Sequence, residues 1–341
     1  MRLRSDLRTA KLIVAALAVA GATSCGRGPD KDSLDVVRIA LRGSLTNAAL
    51  LVAEGEGDFA REGIRLEYSD SPAASVQAIP ILERGALDVV AGAPGAGFYA
   101  AVAQGALSRI VADRGHVEPS SCEFNGIVGR RKAFKNAAPS VAEVAGKKFS
   151  INSPGTAAFL IDKYLTSLGL EESDIDVVRL PQTLEGQALA SGALDVTHAA
   201  EPYISGFREE GHFLLARATD LSPGAHIGSV LFGPTLTVTN RDLGKRFMKA
   251  YLRGARRFAQ GMTPRNIEII ASKTGFDPKR LAKICPPSIS VNGTLDLEWL
   301  LEFQEWAVKR GHLDKVGGMN AGVDTEFARA AVAELGAESG R

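Results

Sequence analysis

The chain has 341 residues and is 45% hydrophobic, with 40 Lys and Arg against 39 Asp and Glu for a formal net charge of +1. That length supports a sizeable buried core and more than one domain-sized unit. The even charge balance leaves no electrostatic footprint for nucleic acid, and the basic residues at 241–257 fall on a helical pattern that reads as a solvated face.

The N-terminus carries Arg2, Arg4, Arg8 and Lys11, then the apolar run 12–20, then Gly21-Ala22-Thr23-Ser24 and Cys25. A positive region, a short apolar region and small residues make a secretory signal, residues 1–24, too short to span a membrane. Ala22-Thr23-Ser24-Cys25 resembles a bacterial lipobox, with Ala22 where Leu is usual; this implies lipidation of Cys25 and a protein held at the membrane face. Ordinary cleavage after Ala22 or Ser24 fits the small-residue pattern as well. Residues 25–33 are polar with Gly and Pro, as a tether should be. The remaining cysteines, Cys122 and Cys285, form either a disulfide, which an exported location permits, or two buried thiols; spacing does not decide.

From residue 36, short β-rich runs alternate with helical patterns. Strands are expected at 36–41, 64–68, 87–91 and 108–112, with helices at 46–57, 73–84 and 95–104. The grammar restarts near Phe124, with strands at 124–129, 147–151, 175–180 and 194–198 around helices at 156–169 and 184–191. Extended runs follow at 213–216 and 227–239, and from Arg241 the chain is largely helical: 241–260, 264–273, 278–284, 295–310 and 325–335. Alternation of this kind argues α/β architecture with mostly parallel strands. Gly85-Ala86-Leu87-Asp88-Val89 recurs as Gly192-Ala193-Leu194-Asp195-Val196, each copy closing a helix and opening a strand. The repeat suggests two similar lobes: residues 34–123 and 227–336 in the first, 124–226 in the second, with 337–341 as a tail. Ligands of open α/β sheets bind at the carboxyl ends of the strands, so a shared cleft between the lobes is expected.

Four loops would face that cleft. Arg42-Gly43-Ser44-Leu45-Thr46-Asn47 offers a cation, two hydroxyls and an amide, although Ser44 or Thr46 serves equally as a helix N-cap. Gly92-Ala93-Pro94-Gly95-Ala96-Gly97 lets backbone approach a ligand closely. Its Gly95, Gly97 and Ala100, with Asp113 beyond, only partly mimic a dinucleotide fingerprint. In Asn152-Ser153-Pro154-Gly155-Thr156, Ser153 suits the N-cap and Pro154 the first helical position, which leaves the N–H groups of Gly155, Thr156 and Ala157 free for an anion. His198-Ala199-Ala200-Glu201-Pro202-Tyr203 supplies a titratable ring, a carboxylate that ties loops or meets ligand, and an aromatic that stacks on ligand or packs at the rim. The chain contains no Gly-x-Ser-x-Gly elbow, His-Glu-x-x-His, Walker loop or Cys-x-x-Cys pair. His116, His198, His212, His226 and His312 show no metal spacing.

Residues 36–260 resemble the nitrate/sulfonate/taurine/thiamine-precursor group of ABC-transporter solute-binding proteins. The resemblance lies in Val37-Arg38-Ile39-Ala40-Leu41, the run from Glu56 through Asp58-Phe59 to Ile64, and the first Gly-Ala-Leu-Asp-Val. It continues through Val144-Ala145-Gly146-Lys147-Lys148, the Asn152 to Thr156 loop, the second repeat and Glu201-Pro202-Tyr203. It implies a two-lobed type II periplasmic-binding-protein fold, each lobe a mostly parallel sheet flanked by helices, with hinges near 122–126 and 224–229. It also implies a monomer that binds a small, often anionic solute without catalysis or cofactor and hands it to an ABC permease and ATPase. Many relatives have an aromatic residue before the Glu-Pro pair; Ala199 and Ala200 stand there here, which argues against an aromatic ligand. A eukaryotic branch makes a thiamine pyrimidine with a Cys-rich motif that this chain lacks. An exported enzyme, or a sensory lipoprotein that docks to a receptor, would use the same cleft.

Overall fold

The computed structural model describes residues 34–41, 44–69, 78–119 and 122–339. The signal segment, Cys25 and Arg42 lie outside the described residues.

Strand β1 (Asp35–Leu41) buries Val37, Ile39 and Ala40 and pairs in parallel with β2 (Ile64–Tyr68) and β3 (Val89–Gly92). Strand β4 (Arg109–His116) runs the same way at the sheet edge. A second sheet is built from β5 (Asn125–Gly129), β6 (Lys148–Ser150), β7 (Asp176–Val178), β8 (Val196–Ala200) and β9 (Phe213–Arg217). The chain then returns as β10 (His226–Phe232), which inserts antiparallel between β3 and β4. The strand orders are β2-β1-β3-β10-β4 and β7-β6-β8-β5-β9. Each sheet is therefore mixed in the same way: four strands run together, and the fourth position is reversed.

The sequence repeat lands on equivalent strands, β3 and β8, at the ends away from the cleft. Asp88 accepts the backbone N–H of Arg38 on β1 at 2.8 Å, and Asp195 accepts that of Lys148 on β6 at 3.2 Å. Each carboxylate also binds a guanidinium, from Arg38 and Arg130 respectively. The Gly of each copy takes positive φ, 68° at Gly85 and 83° at Gly192, as a helix-ending residue must. The repeat is thus a structural device that starts the central strand of each lobe.

In the first lobe lie helices α1 (Ala48–Gly55), α2 (Asp58–Arg61), α3 (Ile79–Glu83) and α4 (Ala96–Ala103). In the second lie α5 (Val141–Val144), α6 (Thr156–Ser167), α7 (Glu185–Ser191), α8 (Tyr203–Glu209) and α9 (Ala218–Leu221). The C-terminal part holds α10 (Arg241–Phe258), α11 (Pro264–Thr274), α12 (Pro278–Leu281), α13 (Leu297–Lys309) and α14 (Glu326–Ser339). No described helix is long and apolar enough to cross a membrane.

Four differences from the sequence reading have physical causes. The extended run expected at 227–239 ends at Phe232, and Thr235–Thr239 forms a π-helical turn, because Gly233 and Pro234 break the ladder. Strand β4 runs on past the expected Ala112 through Asp113, Arg114 and His116, because each of these polar side chains finds a partner within the fold. The basic face of α10 is an ion-pair seam: Lys249 and Arg253 both meet Glu62 and Glu338. Finally, α13 does not belong to the first lobe alone. Its Trp299, Phe303 and Trp306 surround Phe159 of α6 with ring centroids 5.5, 6.0 and 5.5 Å away, while Phe303 also meets Tyr99 of α4 at 6.0 Å. One apolar core consequently runs from sheet to sheet through this helix.

Candidate functional site

Two crossover segments join the sheets, and they bond to one another. Val117 donates to the Ala225 carbonyl at 2.8 Å, and Gly224 donates to that of Val117 at 2.7 Å. Cys122, on the first crossover, is bonded to Cys285 beyond α12, with Cα atoms 5.6 Å apart. Just below, the buried Asp113 carboxylate accepts from the backbone N–H groups of Gly115 and Ser290 and from His116 Nδ1 at 3.0 Å. His226 Nε2 accepts the backbone N–H of Asp296, which fixes the ring proton on Nδ1, 3.3 Å from Asp113 Oδ1. Burial opposes the Asp113 charge, but the two histidines outweigh it and hold the carboxyl at about 2. His116 is shifted the other way: burial disfavours its charge, yet the Asp113 hydrogen bond raises its pKa.

The carboxyl ends of β1, β3 and β4 form the first wall of the cleft. Ser44 closes the first turn of the helical segment that leads into α1: its Oγ accepts the Thr46 N–H at 3.3 Å and lies 3.0 Å from Thr46 Oγ1. Arg114, at the end of β4, reaches under that turn and donates from Nη1 to Thr46 Oγ1 and to Asn47 Oδ1, the latter at 2.6 Å. Burial pushes its pKa down to about 10. Pro94 and Gly95 are buried, and Gly95 is the N-cap of α4.

The second wall departs from expectation at α6. Ser153 is exposed and makes no cap bond; the N-cap is Gly155, whose own N–H turns back to the Ser153 carbonyl at 2.8 Å. The tight turn absorbs that donor, so the unpaired N–H groups begin one residue later, at Thr156. Below it, the buried Glu185 accepts from Ser150 Oγ at 2.6 Å and Thr197 Oγ1 at 2.9 Å, joining the ends of β6 and β8 to α7. His198 lies 2.6 Å through Nε2 from Asn125 Oδ1, and burial lowers its pKa to about 4, so the ring is neutral near pH 7. Glu201, just before α8, accepts from the N–H and hydroxyl of Ser205 in its first turn, and burial raises its pKa. Tyr203 is 47% exposed and meets Phe276 edge-on, with centroids 6.4 Å apart.

The walls touch. Ala96 of α4 donates to the Pro154 carbonyl at 3.0 Å, and Thr156 Oγ1 donates to the His226 carbonyl at 2.9 Å. The structure therefore brings Gly95, Gly155 and Thr156 together at the seam, beside the buried Pro94, and places Asn47 on Arg114, with Ser44 joined to it through Thr46. Glu201 and Tyr203 are turned to structural partners. Arg114 and Glu185 escaped the sequence reading, one as a charge beyond an apolar strand and the other as a charge in a helix start. Among the described residues no cluster of His, Cys, Asp and Glu could hold a metal ion.

A family model described as NMT1/THI5 like matches residues 45–261. No curated protein matches the chain by sequence. Among solved structures, the periplasmic nitrate-binding protein NrtA from Synechocystis PCC 6803 is similar with a TM-score of 0.71 and 14% identity, over 89% of each chain. The alkanesulfonate-binding protein SsuA from Xanthomonas axonopodis pv. citri, bound to MOPS, aligns with a TM-score of 0.61 and 20% identity, over 87% of this chain and 97% of that one. The desulfurization enzyme DSZB is also similar, with a TM-score of 0.61 and 15% identity, over 88% of this chain and 99% of that one. The fold is the type II periplasmic-binding-protein fold, and it serves both transport proteins and an enzyme.

Proposed function

Because the chain belongs to the NMT1/THI5-like family, we propose that it is the solute-binding component of an ABC import system and captures a small anion between its two lobes. The observation that carries this reading is the convergence of strand-end loops from both sheets, where α4 and α6 begin within one hydrogen bond of each other. Helix starts favour negative charge, and one start from each lobe lets an anion hold the lobes together. The paired crossovers at Val117 and Gly224 act as the hinge, and closure around solute presents the permease with a surface that the empty protein lacks. The similar nitrate- and sulfonate-binding proteins support these anion classes for this chain. Export to the periplasmic side, with Cys25 lipidated as the anchor, completes the proposal. The protein acts as a monomer.

The test is thermal shift of the exported chain with sulfonates, nitrate, carboxylates and pyrimidines. Ligand that binds only the folded state raises Tm by mass action, by about 2.7 kcal/mol of stability at a hundredfold excess over Kd. A saturable shift with one anion class, without turnover of the compound, is expected. A response to pyrimidines alone, or chemical conversion of the ligand, overturns the reading. Incorporation of a labelled fatty acid, abolished by Cys25→Ser, tests the anchor.

A further inference from the structure

We propose that Arg114 is the charge partner of the solute's anionic group, forming with the Ser44–Asn47 turn an oxyanion site for a sulfonate or carboxylate in the first lobe. This rests on the anion-binding reading above and names the residue that would carry it.

Arg114 is 4% exposed, and among the described residues no carboxylate pairs with it. Its visible hydrogen bonds go to two neutral oxygens, Thr46 Oγ1 and Asn47 Oδ1, and its buried Nε has no hydrogen-bond partner. The adjacent carboxylate, Asp113, is directed to His116, His226 and the Gly115 and Ser290 N–H groups. Tyr251, on α10, contributes no charge there: its hydroxyl donates to the Asp113 carbonyl at 2.6 Å, and its pKa is raised.

A buried cation without a directly bonded carboxylate is costly and is normally paired, and Asp113 supports this one only through space. The location deepens the problem, because the guanidinium lies against the start of the segment that leads into α1, the positive end of a helix dipole. Both positive features are relieved by one anion at that point. The fold also makes room for the guanidinium. A Cβ on Gly228 of β10 would stand 2.6 Å from Arg114 Nη2 and 2.8 Å from Cζ. Burial disfavours the Arg114 charge, yet its pKa stays at about 10, so the guanidinium is charged near neutral pH in a desolvated position. A planar guanidinium suits the paired oxygens of a carboxylate or sulfonate.

The experiment compares wild type, Arg114→Met, Arg114→Lys and Gly228→Ala, purified after export, by calorimetric titration with ethanesulfonate, acetate and nitrate and by melting without any anion. Arg114→Met should keep or raise the Tm of the anion-free protein, since it removes an unpaired buried charge. It should weaken binding of the preferred anion by at least about 30-fold. Arg114→Lys should recover part of that loss, and Gly228→Ala should weaken binding with the charge retained. Equal anion affinity in wild type and Arg114→Met overturns the role of Arg114 and leaves the anion reading standing. A large fall in anion-free Tm for Arg114→Met, with affinity unchanged in Arg114→Lys and Gly228→Ala, marks Arg114 as structural and also overturns it. If wild type binds none of the three anions, the anion reading falls and this assignment falls with it.

Discussion

Phe159→Ala should loosen the junction between the lobes and be read directly by tryptophan emission. Phe159 is 0% exposed on α6, and three aromatic side chains of α13 lie around it at 5.5–6.0 Å between centroids. Removing a fully buried Phe costs about 3–5 kcal/mol, counting lost transfer energy and the cavity left behind. Edge-on ring pairs add about 0.5–1.5 kcal/mol beyond burial, so a value near 4 kcal/mol is conservative. At about 2.1 cal/mol/K of unfolding entropy per residue, each kcal/mol moves Tm by roughly 1.5 °C in a chain of this size, which puts the expected fall at about 6 °C. The chain has two tryptophans, Trp299 and Trp306, and both line this contact. Their emission should shift to the red in Phe159→Ala before global unfolding, while Phe159→Leu, which keeps most of the volume, should cost under about 1.5 kcal/mol. A loss below about 1.5 kcal/mol for Phe159→Ala, with emission unchanged, would show that α13 does not join the lobes through Phe159.

Four further outcomes are expected. The Cys122–Cys285 bond closes a span of 163 residues, for which loop-closure entropy gives at most about 5 kcal/mol; Cys122→Ser with Cys285→Ser should lower Tm markedly, and alkylation should find neither thiol free in wild type. His198 is depressed to about 4, so the unfolded chain takes up its proton first as pH falls below about 6.5, and stability drains away between there and pH 4 at up to about 1.4 kcal/mol per pH unit. Urea unfolding at pH 7.5 and 5.0 should show a smaller drop in His198→Gln than in wild type. The Asp113–His116 pair has the complementary profile. A depressed carboxyl contributes above about pH 3.9 and loses its contribution as pH falls through about 2, whereas a raised histidine contributes below about pH 6.5 and loses its contribution as pH rises. The penalty of Asp113→Asn should therefore be greatest between about pH 4 and 6.5. Lastly, Gly254→Ala would set a Cβ 2.1 Å from the Ala49 carbonyl oxygen, so α1 and α10 must part; melting should show a loss of about 1–3 kcal/mol or more.

The amino-acid sequence determined the architecture because alternation, caps and turns are local. Ile64–Tyr68 is the expected strand, α6 begins at the expected Thr156, and the two Gly-Ala-Leu-Asp-Val copies mark equivalent strands in two sheets of matching order. The positions of Gly95 and Thr156 at the starts of α4 and α6 were legible because the local backbone pattern sets them. Tertiary structure decided what depends on partners far along the chain. Asp113, Arg114 and His116 lie beyond the expected end of a strand, and only His226, Ser290, Thr46 and Asn47 show why Asp113 and Arg114 are buried. Ser153 lost the cap to Gly155 because a turn of the backbone, not a side chain, starts α6. The helix that joins the lobes, α13, carries an apolar face that any helix could bury. Its choice of Phe159 and Tyr99 follows from packing across both sheets, which no local pattern encodes.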